Sequence, residues 1–124
     1  MTRVYLAGPM TGLPNYNYPA FHAAAKVLRD LGHQVLNPAE NPAPACGTWQ
    51  GYMRMALAQL VQCDCIVLLP GWAESRGARI ERKLAQVLHI ELADYNDIIP
   101  RALAPLMGAL DTPNPTQTID WSAA

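Results

Sequence analysis

The residues best suited to chemistry fall in the stretch Pro70-Gly71-Trp72-Ala73-Glu74-Ser75-Arg76-Gly77-Ala78-Arg79-Ile80-Glu81. Glu81 is followed by Leu84, Ala85 and Leu88 at i+3, i+4 and i+7. In a helix, its carboxylate therefore shares the apolar stripe that faces the core. A carboxylate there is costly unless it is paired or borders a cavity, and a carboxylate bordering a cavity can act as a nucleophile or move a proton. A helix start shortly before it would favour the ionised form, which suits a nucleophile better than a proton donor. The plainer alternative is an early-turn Glu that complements the helix dipole. Tyr5 lies two residues before the end of an apolar run. It could aim its hydroxyl at the same place, or be a packed Tyr with a satisfied OH.

Four of the nine basic residues (Arg76, Arg79, Arg82 and Lys83) fall within eight positions here. Cations at a helix N-terminus oppose its dipole, but they make sense if an anion binds there. Ser75, Gly77 and free backbone N–H groups would then cradle a phosphate. The competing reading is a solvated charged face with Glu74 and Glu81 as partners. A second candidate loop runs from Gly8 to Pro19 and is rich in Gly and Pro. Its glycines allow close backbone approach to a ligand, and Tyr16 and Tyr18 either stack on a base or cover the loop. Neither G-x-G-x-x-G nor a P-loop is present. His22, His33 and His89 sit apart and form no hydrolase triad. Asp64 opens an apolar run at the end away from these loops, which suits a structural role. Cys63 and Cys65 would share one face of a strand. Without a second pair or a nearby His, reduced structural thiols are the simpler reading than a metal site.

The elements that position these residues follow from hydropathy. Apolar runs at 3–8, 34–36 and 65–69 read as buried strands, with a fourth at 89–92. Helical stripes at 20–31, 49–61 and 75–89 lie between them. Gly32 serves as a stop and Ser75 as an N-cap. A last helix is expected at 98–110, entered through Pro100. The alternation predicts an α/β fold, a parallel sheet of four to five strands with helices on both faces. Ligands bind such folds outside the carboxyl ends of the strands, which places the site in the loops after Ala7, Leu36 and Leu69.

The chain has 124 residues, 51% hydrophobic and 15% charged. A charged share of about 25% is usual, so wholesale disorder is excluded. One domain is expected over 1–110, with a mobile tail over 111–124. The formal charge of −1 argues against non-specific binding to nucleic acid or an anionic membrane. The apolar start at 4–7 is too short for a secretory signal. No run approaches the roughly 18 residues that span a bilayer. A cytoplasmic protein is expected.

With these residues in hand, the sequence resembles the nucleoside 2-deoxyribosyltransferase-like superfamily, most closely a branch of small, often phage- or prophage-encoded members. The resemblance covers about residues 3–92. It is carried by Val4-Tyr5-Leu6-Ala7-Gly8-Pro9-Met10-Thr11-Gly12-Leu13-Pro14, by Gly32-His33 through Asn37-Pro38-Ala39-Glu40, and by Cys63-Asp64-Cys65-Ile66-Val67-Leu68-Leu69-Pro70-Gly71-Trp72 with Ser75-x-Gly77-x-x-x-Glu81. It implies a flavodoxin-like, Rossmann-like fold and cleavage of an N-glycosidic bond in a nucleoside or nucleotide. Glu81 falls on the superfamily's nucleophile and Tyr5 on the Tyr that orients it. Ser75 and Gly77 fall on the turn that binds a 5′-phosphate, with Arg76 or Arg79 suited to that anion. Gly8 and Pro9, with Met10 beside them, line the sugar side. The resemblance implies no metal or organic cofactor, and a homo-oligomer whose neighbouring subunit often completes the site. One departure stands out. The superfamily's catalytic Asp, eight residues before Asp64, is Ala56 here. Glu40 is then a candidate proton donor, and the alternative is a nucleotide-binding sensor or sequestering protein with little turnover.

Overall fold

The computed structural model describes residues 2–98. Strands β1 (Arg3–Ala7), β2 (Gln34–Leu36), β3 (Cys65–Leu68) and β4 (Glu91–Asp94) alternate with helices α1 (Tyr18–Asp30), α2 (Trp49–Leu60) and α3 (Arg76–Val87). The strands form one four-stranded sheet in the order β2-β1-β3-β4, and every pairing is parallel.

The sheet is covered on both faces. Val4 and Leu6 of β1 and Val67 of β3 pack against Phe21, Ala24, Ala25 and Leu28 of α1. The alternate residues Tyr5, Ala7, Ile66 and Leu68 pack against Ala56 and Leu60 of α2 and Ala78 and Ala85 of α3. One helix on the first face and two on the second is what right-handed crossovers require for this strand order. The order also reverses at β1, so the crevice above the carboxyl ends of β1 and β3 is the topological switch point.

The sheet and its helices match the sequence reading. The helix and tail expected over 98–110 and 111–124 lie, apart from Ile98, outside the described residues.

Three local differences have physical causes. The first helix starts at Tyr18, two residues before the apolar stripe, because Pro19 occupies its first turn, where a missing N–H costs nothing. The fourth strand runs Glu91–Asp94 instead of 89–92. His89 takes a left-handed φ of 59°, the Ile90 N–H donates to the Ala85 carbonyl at 2.8 Å and the His89 N–H to that of Gln86 at 3.2 Å. This closing motif uses the residues expected to begin the strand. Cys63 and Cys65 do not share a face: Cys63 joins the α2–α3 side and Cys65 the α1 side. Cys63 precedes β3, so strand alternation does not apply to it. Burial pushes both thiols up to about 11, as expected of unreactive thiols.

At the opposite end of the sheet, Asp64 ties the strand starts together. Its Oδ2 accepts from the Arg3 N–H at 3.1 Å, and its own N–H donates to the Arg3 carbonyl at 2.8 Å. This is the structural role expected of it.

Candidate active site

Tyr5 is central in β1 and fully buried. Its side chain points to the α2–α3 face, where its hydroxyl donates a hydrogen bond to Glu81 Oε2. Glu81 sits on the buried stripe of α3 with Ala78 and Ala85 and is only 6% exposed. No bond to its other oxygen, Oε1, is made among the described residues.

The electrostatics differ from the sequence expectation. Burial raises the Glu81 carboxyl to about 7, against an opposing pull from the Tyr5 hydroxyl. The helix dipole does not hold it low, because Glu81 lies beyond the first turn of α3 and the dipole acts mainly within that turn. Near neutral pH the group is therefore poised between acid and carboxylate. Burial and the Glu81 charge in turn raise the Tyr5 phenol well above its ordinary value, so it remains a donor.

The loops after β1 and β3 meet above this pair. The Leu69 N–H donates to the Ala7 carbonyl at 2.8 Å. Gly71 takes φ +86°, and a Cβ on it would lie 3.2 Å from Pro9 Cγ. Gly8 is packed so closely that a Cβ would meet Leu69 Cβ at 2.9 Å. Its lack of a side chain serves this strand-end contact. Met10 lies elsewhere, packed against the α1-side core.

At the start of α3, Ser75 caps the helix and its Oγ accepts from the Ala78 N–H at 3.2 Å. The N–H groups of Arg76 and Gly77 are left without partners among the described residues. Gly77 lets α2 close on α3: a Cβ there would lie 3.1 Å from Met53 Sδ and 3.9 Å from the Trp49 ring.

The α3 cations do not pair with Glu74 or Glu81. The salt bridges among the described residues are Lys26–Asp30 and Arg29–Glu40. Instead, Arg79 donates to the Ala73 carbonyl at 3.2 Å, Arg82 lies 5.0 Å over the Trp72 ring and Arg76 lies 4.2 Å over the Trp49 ring. The reading of these cations as partners of Glu74 and Glu81 is therefore not what the structure shows.

Glu40 stands apart from the Tyr5–Glu81 pair. It follows β2 in a 3₁₀ turn and accepts two bonds from Arg29 of α1, at 2.8 and 2.9 Å. The Arg29 guanidinium holds its carboxyl below the ordinary value, which opposes a proton-donor role.

Ala56 is buried in the same apolar cluster as Tyr5. The sequence reading assigns neither Trp49 nor the buried Asn37 a part in the catalytic site. The Asn37 side chain accepts from the Ala39 N–H at 3.0 Å and shapes the turn after β2. Trp49 opens the second helical stripe read from the sequence, but its partner Arg76 is visible only in three dimensions.

Fold and site together define a doubly wound α/β protein with a buried Tyr–Glu pair beneath the crevice at its switch point. The chain belongs to the family described as domain of unknown function (DUF4406), whose model matches residues 2–94. No curated protein matches it.

Proposed function

We propose that this protein cleaves the N-glycosidic bond of a nucleoside or nucleoside 5′-monophosphate, with Glu81 as the nucleophile. The observation that carries this reading is the buried hydrogen bond between Tyr5, in the middle of β1, and Glu81 on the buried stripe of α3. The resemblance to the nucleoside 2-deoxyribosyltransferase-like superfamily supports it.

In the proposed reaction, the ionised Glu81 attacks the anomeric carbon. The C–N bond breaks and its electron pair leaves with the base, which takes up a proton from solvent water. A glycosyl ester forms on Glu81. Water, or a second base in a transfer, then attacks the same carbon and releases the carboxylate. Two displacements retain the anomeric configuration. Tyr5 orients the carboxylate and holds down its proton affinity. The sugar lies against Gly8 and Pro9, and the 5′-phosphate against the first turn of α3. The protein works in the cytoplasm as a homo-oligomer, with a neighbouring subunit closing the crevice.

A second reading is a nucleotide-binding sensor or sequestering protein with little turnover. It is favoured by Ala56, which leaves no carboxylate at the superfamily's acid position, and by the engagement of Glu40 with Arg29. The experiment that separates the two is mass spectrometry of the protein incubated with 2′-deoxy-2′-fluoronucleosides and their 5′-monophosphates. Fluorine slows resolution of a glycosyl ester. A pentose or pentose-phosphate adduct on the Glu81 peptide supports the enzyme. Binding of natural monophosphates by calorimetry, with neither an adduct nor base release, supports the sensor.

A further inference from the structure

Glu81, the proposed nucleophile, has almost no surface: it is 6% exposed. Attack on a substrate needs its carboxylate bared, and helix geometry sets the way in. Helix α3 begins at the crevice end of the sheet, because the loop at the carboxyl end of β3 leads into it. Gly77 and Glu81 are four residues apart. They therefore lie one above the other on the same side of α3, with Gly77 nearer the crevice. That side faces α2. A Cβ on Gly77 would lie 3.1 Å from Met53 Sδ and 3.9 Å from the Trp49 ring. Met53 and Trp49 thus stand in the passage between the crevice and the carboxylate.

The two halves of α2 are held differently. The second half packs on the sheet through Ala56 and Leu60, and Gln59 exchanges two hydrogen bonds with Asn41, at 2.7 and 2.8 Å. In the first half, Trp49 and Met53 are only partly buried. Gly51 is the buried residue there, and Pro44 of the preceding loop covers it, 3.1 Å from where a Cβ would be. Among the described residues, the hydrogen bonds of 42–48 stay within the loop and the first turns of α2. Loop and first half therefore form one unit that rests lightly on the sheet. Few buried apolar contacts mark the parts of a fold that open locally. Across the seam, Arg76 of α3 lies 4.2 Å over the Trp49 ring and ties this unit down.

We propose that the first half of α2, with the loop before it, is a gate between the crevice and Glu81, with Met53 in the passage and the Trp49–Arg76 contact as its latch. The inference rests on the reading of Glu81 as the group that meets substrate.

The test places a thiol at the carboxylate and needs no substrate. The whole chain carrying Glu81→Cys is treated with iodoacetamide, and each cysteine is followed by peptide mass spectrometry. Each rate is divided by that of the same thiol in the urea-unfolded chain. Cys46 is exposed and Cys65 is buried on the α1 side, so the two report free access and global unfolding in the same sample. The added substitutions are Trp49→Ala, Trp49→Phe, Arg76→Ala, Trp49→Ala with Arg76→Ala, and Met53→Ala. Val87→Ala, on the exposed face of α3, is the control.

The introduced thiol should label far more slowly than Cys46. Trp49→Ala or Arg76→Ala should speed it about fivefold, the scale of one partly exposed cation–π contact. The double variant should gain no more than either single one. Met53→Ala should gain at least as much, Trp49→Phe little and Val87→Ala nothing. Cys65 should stay slow throughout, and low urea should change the rate of the introduced thiol little, because local opening exposes little surface.

An introduced thiol as reactive as Cys46 would overturn the gate, as would rates unmoved by Trp49→Ala and Arg76→Ala, or equal acceleration of Cys65. If Glu81→Cys does not fold, hydrogen exchange of the chain with Glu81 in place reads the same motion. The amides of Tyr52, Met53 and Arg54 should then exchange faster in Arg76→Ala while those of 57–60 hold, and an unchanged profile would overturn the proposal. Unmoved labelling in a protein that releases base overturns the gate alone. Labelling as expected in a protein that neither binds nor cleaves nucleosides supports the gate and overturns the functional reading.

Discussion

Glu81 gains its chemical character from two neighbours that act in opposite directions. Burial raises its carboxyl and the Tyr5 hydroxyl lowers it, leaving the group near 7. A nucleophile must be ionised, so kcat/KM for base release should rise with pH and level off above about 7. Tyr5→Phe removes the lowering influence, and the rising limb should move to higher pH. A pH–rate profile checks both. Ala56→Asp places a carboxylate in the cluster that holds Tyr5. If the missing acid limits turnover, this substitution should raise kcat by about 10²-fold while lowering the melting temperature, because a second buried carboxyl is costly. The choice of Glu81 was legible in the sequence because a charge on an apolar stripe is conspicuous. Its raised proton affinity was not, because it follows from how completely the assembled helices and sheet bury the carboxyl.

Two helix ends offer a matched comparison at the scale of elements. After α1, Gly32 takes φ +96° and the His33 N–H donates to the Leu28 carbonyl at 3.1 Å. After α3, His89 occupies the equivalent place at φ 59°. A left-handed conformation costs a non-glycine residue roughly 1–2 kcal/mol. His89→Gly should therefore stabilise the protein by about 1 kcal/mol, and Gly32→Ala should destabilise it by about 1 kcal/mol, both read by urea unfolding. Gly8→Ala should cost about 1–3 kcal/mol, because the new methyl meets Leu69 Cβ with no flexible atom to move. These ends explain which boundaries the sequence revealed. Gly32 announced the stop of α1, whereas His89 carried no such signal and the expected strand began too early. The cysteine pair misled for a related reason: alternation holds only inside a strand, and Cys63 lies just before β3.

For the molecule as a whole, strand order and helix placement follow from a few connection rules applied to alternating apolar runs. They were largely readable from the chain, as was the position of the crevice. The engagement of Arg79 with the Ala73 carbonyl, of Glu40 with Arg29 and of Arg76 with Trp49 was not, because each depends on which elements finally touch. The buried pair also leaves a mark on global stability. The Glu81 carboxyl is raised from 4.5 to about 7 on folding. Its contribution is therefore fully present below the unfolded value and is lost as pH rises through about 7. The loss is on the order of 3 kcal/mol. Denaturant unfolding across this range should show wild type declining more steeply than Glu81→Gln, whose amide does not titrate. Parallel profiles would contradict the burial account.

The most direct test of the central claim is a chromatographic screen for free base. Common ribo- and deoxyribonucleosides, with and without a 5′-phosphate, would be incubated with wild type and with Glu81→Ala. The account predicts base release from at least one of them by wild type and none by the variant. No release from any candidate by wild type, or equal release by both proteins, would contradict it.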